Sequence, residues 1–346
     1  MKFVNKKFPM SLLILVMALL IFRNSLPAQE SGPASRLALS DIQIQTTASL
    51  RVKIANPIKK YRYSRADEAN IKKIENDILA QLHQNGYYLS KIDSFRVTEM
   101  GRQQAVLYLY VSPGLQFKLG TAEFIMPDSL TSRFSGQLAE IAKNYRLRPY
   151  NEGLQKQMFH DVIALFENSG YPLCRITTEG FTLDSLAANE QAVNLRLRVD
   201  PGQLVKLQGL RLPAKSGINP RYLERTFGFR SGDIYREKEI GRYRKLLSRQ
   251  DFIRSAGRPR IVMGEDSLYY LSMNYEENTS TSLDGVVGYI PAPANDPAQS
   301  GYFTGLLNIG LLNFFGTGRR LDVNWQKPDR FSEEFRVKYR EPFVLG

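Results

Sequence analysis

The spacing of apolar positions changes partway along this 346-residue chain. Before Glu277, helical stretches with apolar residues every three or four positions alternate with short segments of period two; after it, helical spacing disappears and only period two remains. Ile71, Ile74, Ile78 and Leu82 share one helix face, with Ser64 and Asp67 offering a capping-box start. Leu154, Met158, Val162 and Leu165 share a second, after Asn151. Each helix runs into a Gly-Tyr pair, so that HQNGYYLSKI (83–92) recurs as ENSGYPLCRI (167–176), and Gly86 and Gly170 suit the residue just past a helix end. Two strand-like segments follow each pair, the second strongly alternating (106–111 and 193–199), and each closes on Pro-Gly before a new strand begins. Gly86-Tyr87 to Gly170-Tyr171 is 84 residues and Pro113-Gly114 to Pro201-Gly202 is 88, so the chain reads as an internal repeat.

Four side chains buried on one helix face contribute about 1.5–3 kcal/mol each before entropy is subtracted, so each helix needs a sheet beneath it. The second copy has an earlier helix through Phe134, Leu138 and Ile141, giving the order strand, helix, helix, strand, strand. A weaker third copy starts its first helix at Asn219-Pro220 and places Ile240, Tyr243 and Leu247 on a second. It carries Asp251-Phe252 where Gly-Tyr stood, and a strand over 268–275 closes it. The first copy shows no clear first helix before Ser64. This order, with Gly-Tyr ending the second helix and Pro-Gly ending the last strand, resembles the polypeptide-transport-associated (POTRA) domain. The expected fold is α+β, with atypical POTRA-like domain 1 over 39–114, domain 2 over 115–202 and domain 3 over 203–277.

The segment 278–346 is different. GYFTGLLNIGLLN (301–313) has no charge; Leu321, Val323 and Trp325 alternate with Arg320, Asp322, Asn324 and Gln326; Phe335, Val337 and Tyr339 alternate with Glu334, Arg336, Lys338 and Arg340. FFGTG and KPDR supply the turns. The pattern fits an antiparallel transmembrane β-barrel, apolar outward and polar inward, and equally a half-buried soluble sheet. LNFFGTGRRLDV followed by FRVKYREPFVLG resembles the opening barrel strands of the BamA and TamA family of outer-membrane protein assembly factors. The residues carrying that likeness are Gly316, Gly318, Arg319, Glu341, Pro342 and Gly346. The resemblance implies POTRA domains in the periplasm, a barrel in the bacterial outer membrane, and no cofactor or covalent chemistry. It implies as partners unfolded outer-membrane proteins, periplasmic or lipoprotein accessory factors, and outer-membrane lipid. The family's Arg-Gly-aromatic lid-loop motif is not in the sequence.

Composition narrows this picture. A hydrophobic share of 43% is globular. Lys2, Lys6 and Lys7, the apolar run 10–22 and the small-residue region ending near Ala28 read as a signal peptide over 1–28. As a helix the run is about 20 Å long, short of roughly 30 Å of bilayer hydrocarbon. Loss of the leader with its four cations lowers the net charge from +13 to +9. Such a balance suits nucleic acid or anionic lipid, and export favours lipid over nucleic acid. The single cysteine, Cys174, has no disulfide partner or metal spacing. His83 and His160 fall on helices; neither HExxH nor GxSxG occurs, and no phosphate loop does, so the expectation is a non-enzyme. Three functions stay open: an assembly factor, a two-partner-type secretion porin with a dedicated client, and a periplasmic adaptor that does not span. A closed barrel needs at least about eight strands and 278–346 supplies three or four, so the chain is expected to be part of a longer reading frame.

Overall fold

The computed structural model describes residues 37–47, 54–101, 103–278, 281–292 and 300–343; the expected leader and Gly346 lie outside them. Helices and strands alternate as the spacing predicts. Strand β1 (Ala38–Thr46) leads through a single helical turn, α1 (Ile58–Tyr61), to α2 (Glu68–Gln84), β2 (Lys91–Glu99) and β3 (Gln104–Ser112). The turn α1 stands where the sequence shows no clear first helix. The sheet order is β1-β3-β2, with β1 parallel and β2 antiparallel to β3. A chain that crosses over through helices can return parallel, whereas a hairpin must return antiparallel. Ile71, Ile74, Ile78 and Leu82 on α2 bury against Leu39, Ile42, Leu107, Leu109 and Val111. The helix cap is Asp67, which accepts from Asn70 N at 2.9 Å; Ser64 donates instead to Tyr61 O, so the capping box reduces to one residue.

The second sheet repeats this build. Strand β4 (Gln116–Ile125) is followed by α3 (Asp128–Tyr145), α4 (Glu152–Glu167), β5 (Arg175–Ala187) and β6 (Glu190–Asp200), in the order β4-β6-β5. Val193, Leu195, Leu197 and Val199 of β6 are all buried. Asn151 caps α4, accepting from Leu154 N at 2.7 Å.

The third sheet departs from the simple repeat. Strand β7 (Lys206–Arg211) precedes α5 (Pro220–Phe227), β8 (Asp233–Ile234), α6 (Glu237–Leu247), β9 (Ile253–Ala256), β10 (Arg260–Met263), β11 (Tyr269–Ser272) and β12 (Tyr275–Glu277). The single closing strand expected over 268–275 is two. At Met273 and Asn274 the chain leaves one ladder for another: Met273 N still donates to Arg211 O of β7, while Asn274 O accepts from Gly257 N beyond β9. The result is a four-stranded sheet, β10-β11-β7-β8, beside a β12-β9 ladder. Asn219 caps α5, accepting from Arg221 N at 3.0 Å, and Pro220 occupies the first turn, as expected.

The last four strands, β13 (Thr281–Ile290), β14 (Tyr302–Phe314), β15 (Arg319–Lys327) and β16 (Glu334–Arg340), form an antiparallel meander in sequence order. Among the described residues no helix is long and apolar enough to cross a membrane. The chain divides into two compact units, Met1–Ala164 with Cys174–Pro201, and Leu165–Leu173 with Gly202–Gly346.

Candidate functional site

A sheet binds another chain where a strand has unpaired backbone, so the candidate sites are the edges. In each mixed sheet the start of the first strand is bonded on its outer side by the protein's own chain. Residues 63–66 cover β1: Leu39 N donates to Ser64 O, Tyr63 N to Leu39 O and Ala66 N to Leu37 O, each at 2.8 Å. Residues 147–150 cover β4, through Leu119 N to Arg148 O at 2.9 Å and Leu147 N to Leu119 O at 2.7 Å. Around β8, Gly232 N and Tyr235 N donate to Leu207 O and Val205 O, covering β7. Tyr63 and Leu147 take φ of 65° and 61° to make these returns, and neither residue type signals that conformation in a sequence. The opposite edges, β2, β5 and β10, have no neighbour beyond them among the described residues. At 13 residues β5 offers the longest.

The paired sequence markers meet at one corner of each repeat. Gly86 follows the C-cap Asn85 with φ +84°, and a Cβ there would collide with the carbonyl oxygen of Phe117. That closeness exists because Gly86 O accepts from Phe117 N at 2.8 Å, while Gln116 Nε2 donates to Asn85 O at 3.0 Å. The end of α2 is thus bonded to the first strand of the next sheet. The bond recurs inside the second unit, where Gly170 O accepts from Val205 N at 2.8 Å. Tyr87 and Tyr171 are buried, and Tyr171 meets Phe166 edge-on. Pro113 and Pro201 are buried, with Gly114 against Leu89 and Gly202 against Leu173. In the third repeat Phe252 O accepts from Asn278 N at 2.9 Å, so Asp251-Phe252 holds the corresponding place.

The β13–β16 meander has two chemically distinct faces. Its register aligns Leu283–Ile309–Val323–Val337, Leu311–Leu321–Tyr339 and Leu307–Trp325–Phe335 in rows on one face, extended by Val287 and by Tyr289–Phe303, with Thr281 and Lys327 as the polar residues in these rows. On the other face lie Ser282–Gly310–Asp322–Lys338 and Asp284–Asn308–Asn324–Arg336, with Asn324 Nδ2 donating to Asn308 Oδ1 at 2.8 Å. Val286 and Leu306, beside Gln326 and Glu334, interrupt this polar face, as do Ile290–Tyr302 and Leu312 towards its ends. The apolar face is uncovered: Leu283 is 71% exposed, Val287 69% and Phe335 67%. β13 and β16 are its open edges.

One end of this sheet is bound to the third repeat. Gly316 O accepts from Asn219 N at 2.8 Å, just before α5; Gly316 has φ +71°, and a Cβ on it would strike Gly217 O. Gly318 lies against the Tyr222 ring, and its N donates to Asn313 Oδ1 at 2.9 Å. Arg319 Nε donates to Glu341 Oε2 at 2.8 Å, and Tyr339 OH donates to the same oxygen at 2.6 Å. Pro342 is exposed past the end of β16, and Phe343 meets Tyr222 at 5.7 Å beneath the Arg225 guanidinium. Asp251 accepts from Arg340 at 2.8 Å and has Arg320 at 3.8 Å. The sequence signals the hairpin glycines and the place of Asp251 in the third copy but not its pairing, because Arg320 and Arg340 lie far along the chain. Cys174 is buried ahead of β5, and His83 and His160 sit on different helices.

No protein-family model matches the sequence, and no curated protein matches it. Among solved structures the chain is similar to BamA from Haemophilus ducreyi lacking POTRA domains 1-3, at 13% identity and TM-score 0.45 over 66% of this chain and 40% of that one. It is similar to Haemophilus influenzae BamA POTRA3-5 at 16% identity and TM-score 0.40, over 70% of this chain and 96% of that one. It is also similar to CdiB from Acinetobacter baumannii, at 14% identity and TM-score 0.30 over 61% of this chain and 38% of that one. The chain therefore spans less than half of the H. ducreyi and A. baumannii chains.

Proposed function

We propose that the chain is the periplasmic arm and first barrel strands of an outer-membrane protein assembly factor of the BamA and TamA type. In this reading the repeats over 39–114, 115–202 and 203–277 stand in the periplasm, and the sheet that follows enters the outer membrane. Unfolded outer-membrane proteins, or an accessory protein, add a strand to the open edges β2, β5 and β10. No covalent step is needed: the unpaired N–H and C=O groups of an edge bond an extended client as they would a neighbouring strand. The client strand is then templated into the bilayer at the open edge of the meander.

The observation that carries the reading is the uncovered apolar face of β13–β16 directly after a string of open-edged repeats. Each large apolar side chain left in water forfeits about 1.5–3 kcal/mol of burial, and contiguous apolar faces of this kind mark membrane or protein contacts. Hydrocarbon satisfies such a face, provided the strand edges are paired.

Site-specific photo-crosslinking tests the edges. A photoreactive residue at Thr177 on β5 or Ser94 on β2 should label a urea-unfolded outer-membrane barrel protein several-fold more than one at Ser135 on α3. Equal labelling at all three would refute strand addition. Labelling of one secreted protein alone, with no response to unrelated barrel clients, would transfer the reading to a two-partner secretion porin.

A further inference from the structure

One of the basic stretches of the chain runs through α6 and β9. Between Glu237 and Arg260 lie eight Lys and Arg against three Asp and Glu, so this stretch alone contributes +5 to the total of +13. Two of its arginines are neutralised, Arg242 by Glu239 and Arg258 by Glu237. Lys245, Arg249, Arg254 and Arg260 have no carboxylate partner among the described residues and are exposed, and Arg244 donates only to the Ala256 carbonyl.

Of these cations Arg244 and Lys245 border a cleft of about 520 Å³ between α6 and the end of β9. Its lining is amphipathic. Ile240 and Ala256 supply an apolar part and Arg244, Lys245, Arg258 and the Ser248 hydroxyl supply donors, while the Glu237 carboxylate in the lining is taken up by Arg258 at 2.6 Å. On α6 these residues follow helical spacing, so one face of the helix presents them together.

Position identifies the partner. Asp251, three residues past Ser248, joins Arg320 and Arg340, and the row next to that pair is Leu321–Tyr339, where the apolar face begins. β9 is also laddered to β12, with Ala256 opposite Tyr275; Thr281 of β13 is six residues further, a reach of at most about 21 Å. The cleft therefore lies beside the end of the apolar band, the level at which lipid phosphates sit on a surface that attracts Lys and Arg.

We propose that this cleft binds the phosphate headgroup of an anionic phospholipid, holding the third repeat against the bilayer surface from which the meander departs. The inference rests on the membrane reading of β13–β16. Arg244 and Lys245 meet the phosphate, Ser248 donates to it, and Ile240 and Ala256 take the first apolar atoms beneath the headgroup. A free phosphate would use the cations but would have no use for the apolar lining.

The test is native mass spectrometry of the full chain in non-ionic detergent with added phosphatidylglycerol or phosphatidylcholine. Wild type should retain phosphatidylglycerol in preference to phosphatidylcholine, and Arg244→Glu/Lys245→Glu should bind it roughly tenfold more weakly or worse. Lys73→Glu/Lys143→Glu, with the same change in net charge on α2 and α3, should bind like wild type. Ser248→Glu, which keeps both cations, guards against misfolding of the double variant and should weaken retention too. Undiminished phosphatidylglycerol binding in both cleft variants overturns the proposal, as does equal retention of phosphatidylcholine by wild type. Displacement by inorganic phosphate at concentrations matched to the lipid would make the site one for free anions and overturn the lipid assignment. Partition of the full chain into phosphatidylcholine vesicles separates the two readings. A chain that partitions but shows no headgroup preference loses the cleft alone; a chain that never partitions loses the membrane reading itself.

Discussion

Gly86 shows how one residue can join two sheets. Its φ of +84° costs an L-residue about 1–2 kcal/mol, and the Phe117 carbonyl occupies the place of a Cβ. Gly86→Ala should therefore destabilise the first unit by more than about 2 kcal/mol, read as a lowered denaturant midpoint, whereas Gly101→Ala, with open space around it, pays only the backbone term. Tyr145 gives a pH signature. Burial, aided by its hydrogen bond to Asp161 at 2.6 Å, pushes its hydroxyl up to about 12 from 10.0. A raised folded-state value means the unfolded chain releases its proton first, so this contribution is complete below pH 10 and is lost as pH rises towards 12. Stability should fall across that window, and Tyr145→Phe should make the fall shallower in equilibrium denaturation at stepped pH.

The elements differ in how much of their role can be read from spacing. α2 and α6 bury the apolar positions that their period identifies, because a lone amphipathic face has one way to leave water. On α4 the fully buried residue near the end is Phe166, four past Val162, while Leu165, three past it, is only partly covered, since both spacings are neighbours on one helix face and packing selects between them. Strand spacing on β14–β16 identifies two faces and says nothing about which one meets water. If the apolar face meets hydrocarbon, Val337→Arg should cost about 2–4 kcal/mol of membrane partition near the bilayer midplane, and Lys338→Arg on the opposite face should cost little. Vesicle flotation of the two variants measures the difference; equal partition would place the face against protein instead.

At the level of the second unit, the hairpin over 313–318 and the corner at Asp251 hold the meander to the third repeat by different forces. The ion pairs of Asp251 with Arg340 and Arg320 are largely exposed, so Asp251→Asn should loosen the contact by no more than about 1 kcal/mol, with an effect that fades in high salt. The contact at Gly316 is steric. Gly316→Val meets both a left-handed backbone and the Gly217 carbonyl, and should release the hairpin at a cost of about 1–3 kcal/mol, seen as faster protease cleavage within 313–318. Protection unchanged in that variant would mean that the hairpin is held by Phe343 and the arginines alone.

The sequence by itself determined the helices, the alternating strands and the recurrence of Gly-Tyr with Pro-Gly, because period, caps and turn residues act over a few neighbouring positions. It also determined that the last segment has one apolar face. Only tertiary structure decided which edges are open, since the starts of β1 and β4 are bonded by returns whose left-handed residues, Tyr63 and Leu147, carry no turn signature. It alone split the expected strand over 268–275 between two ladders, and it brought Asp251 to Arg320 and Arg340 across 69 and 89 positions. Local chemistry selects an element, but an edge or an ion pair belongs to two distant segments, and their meeting is set by the packing of everything between them.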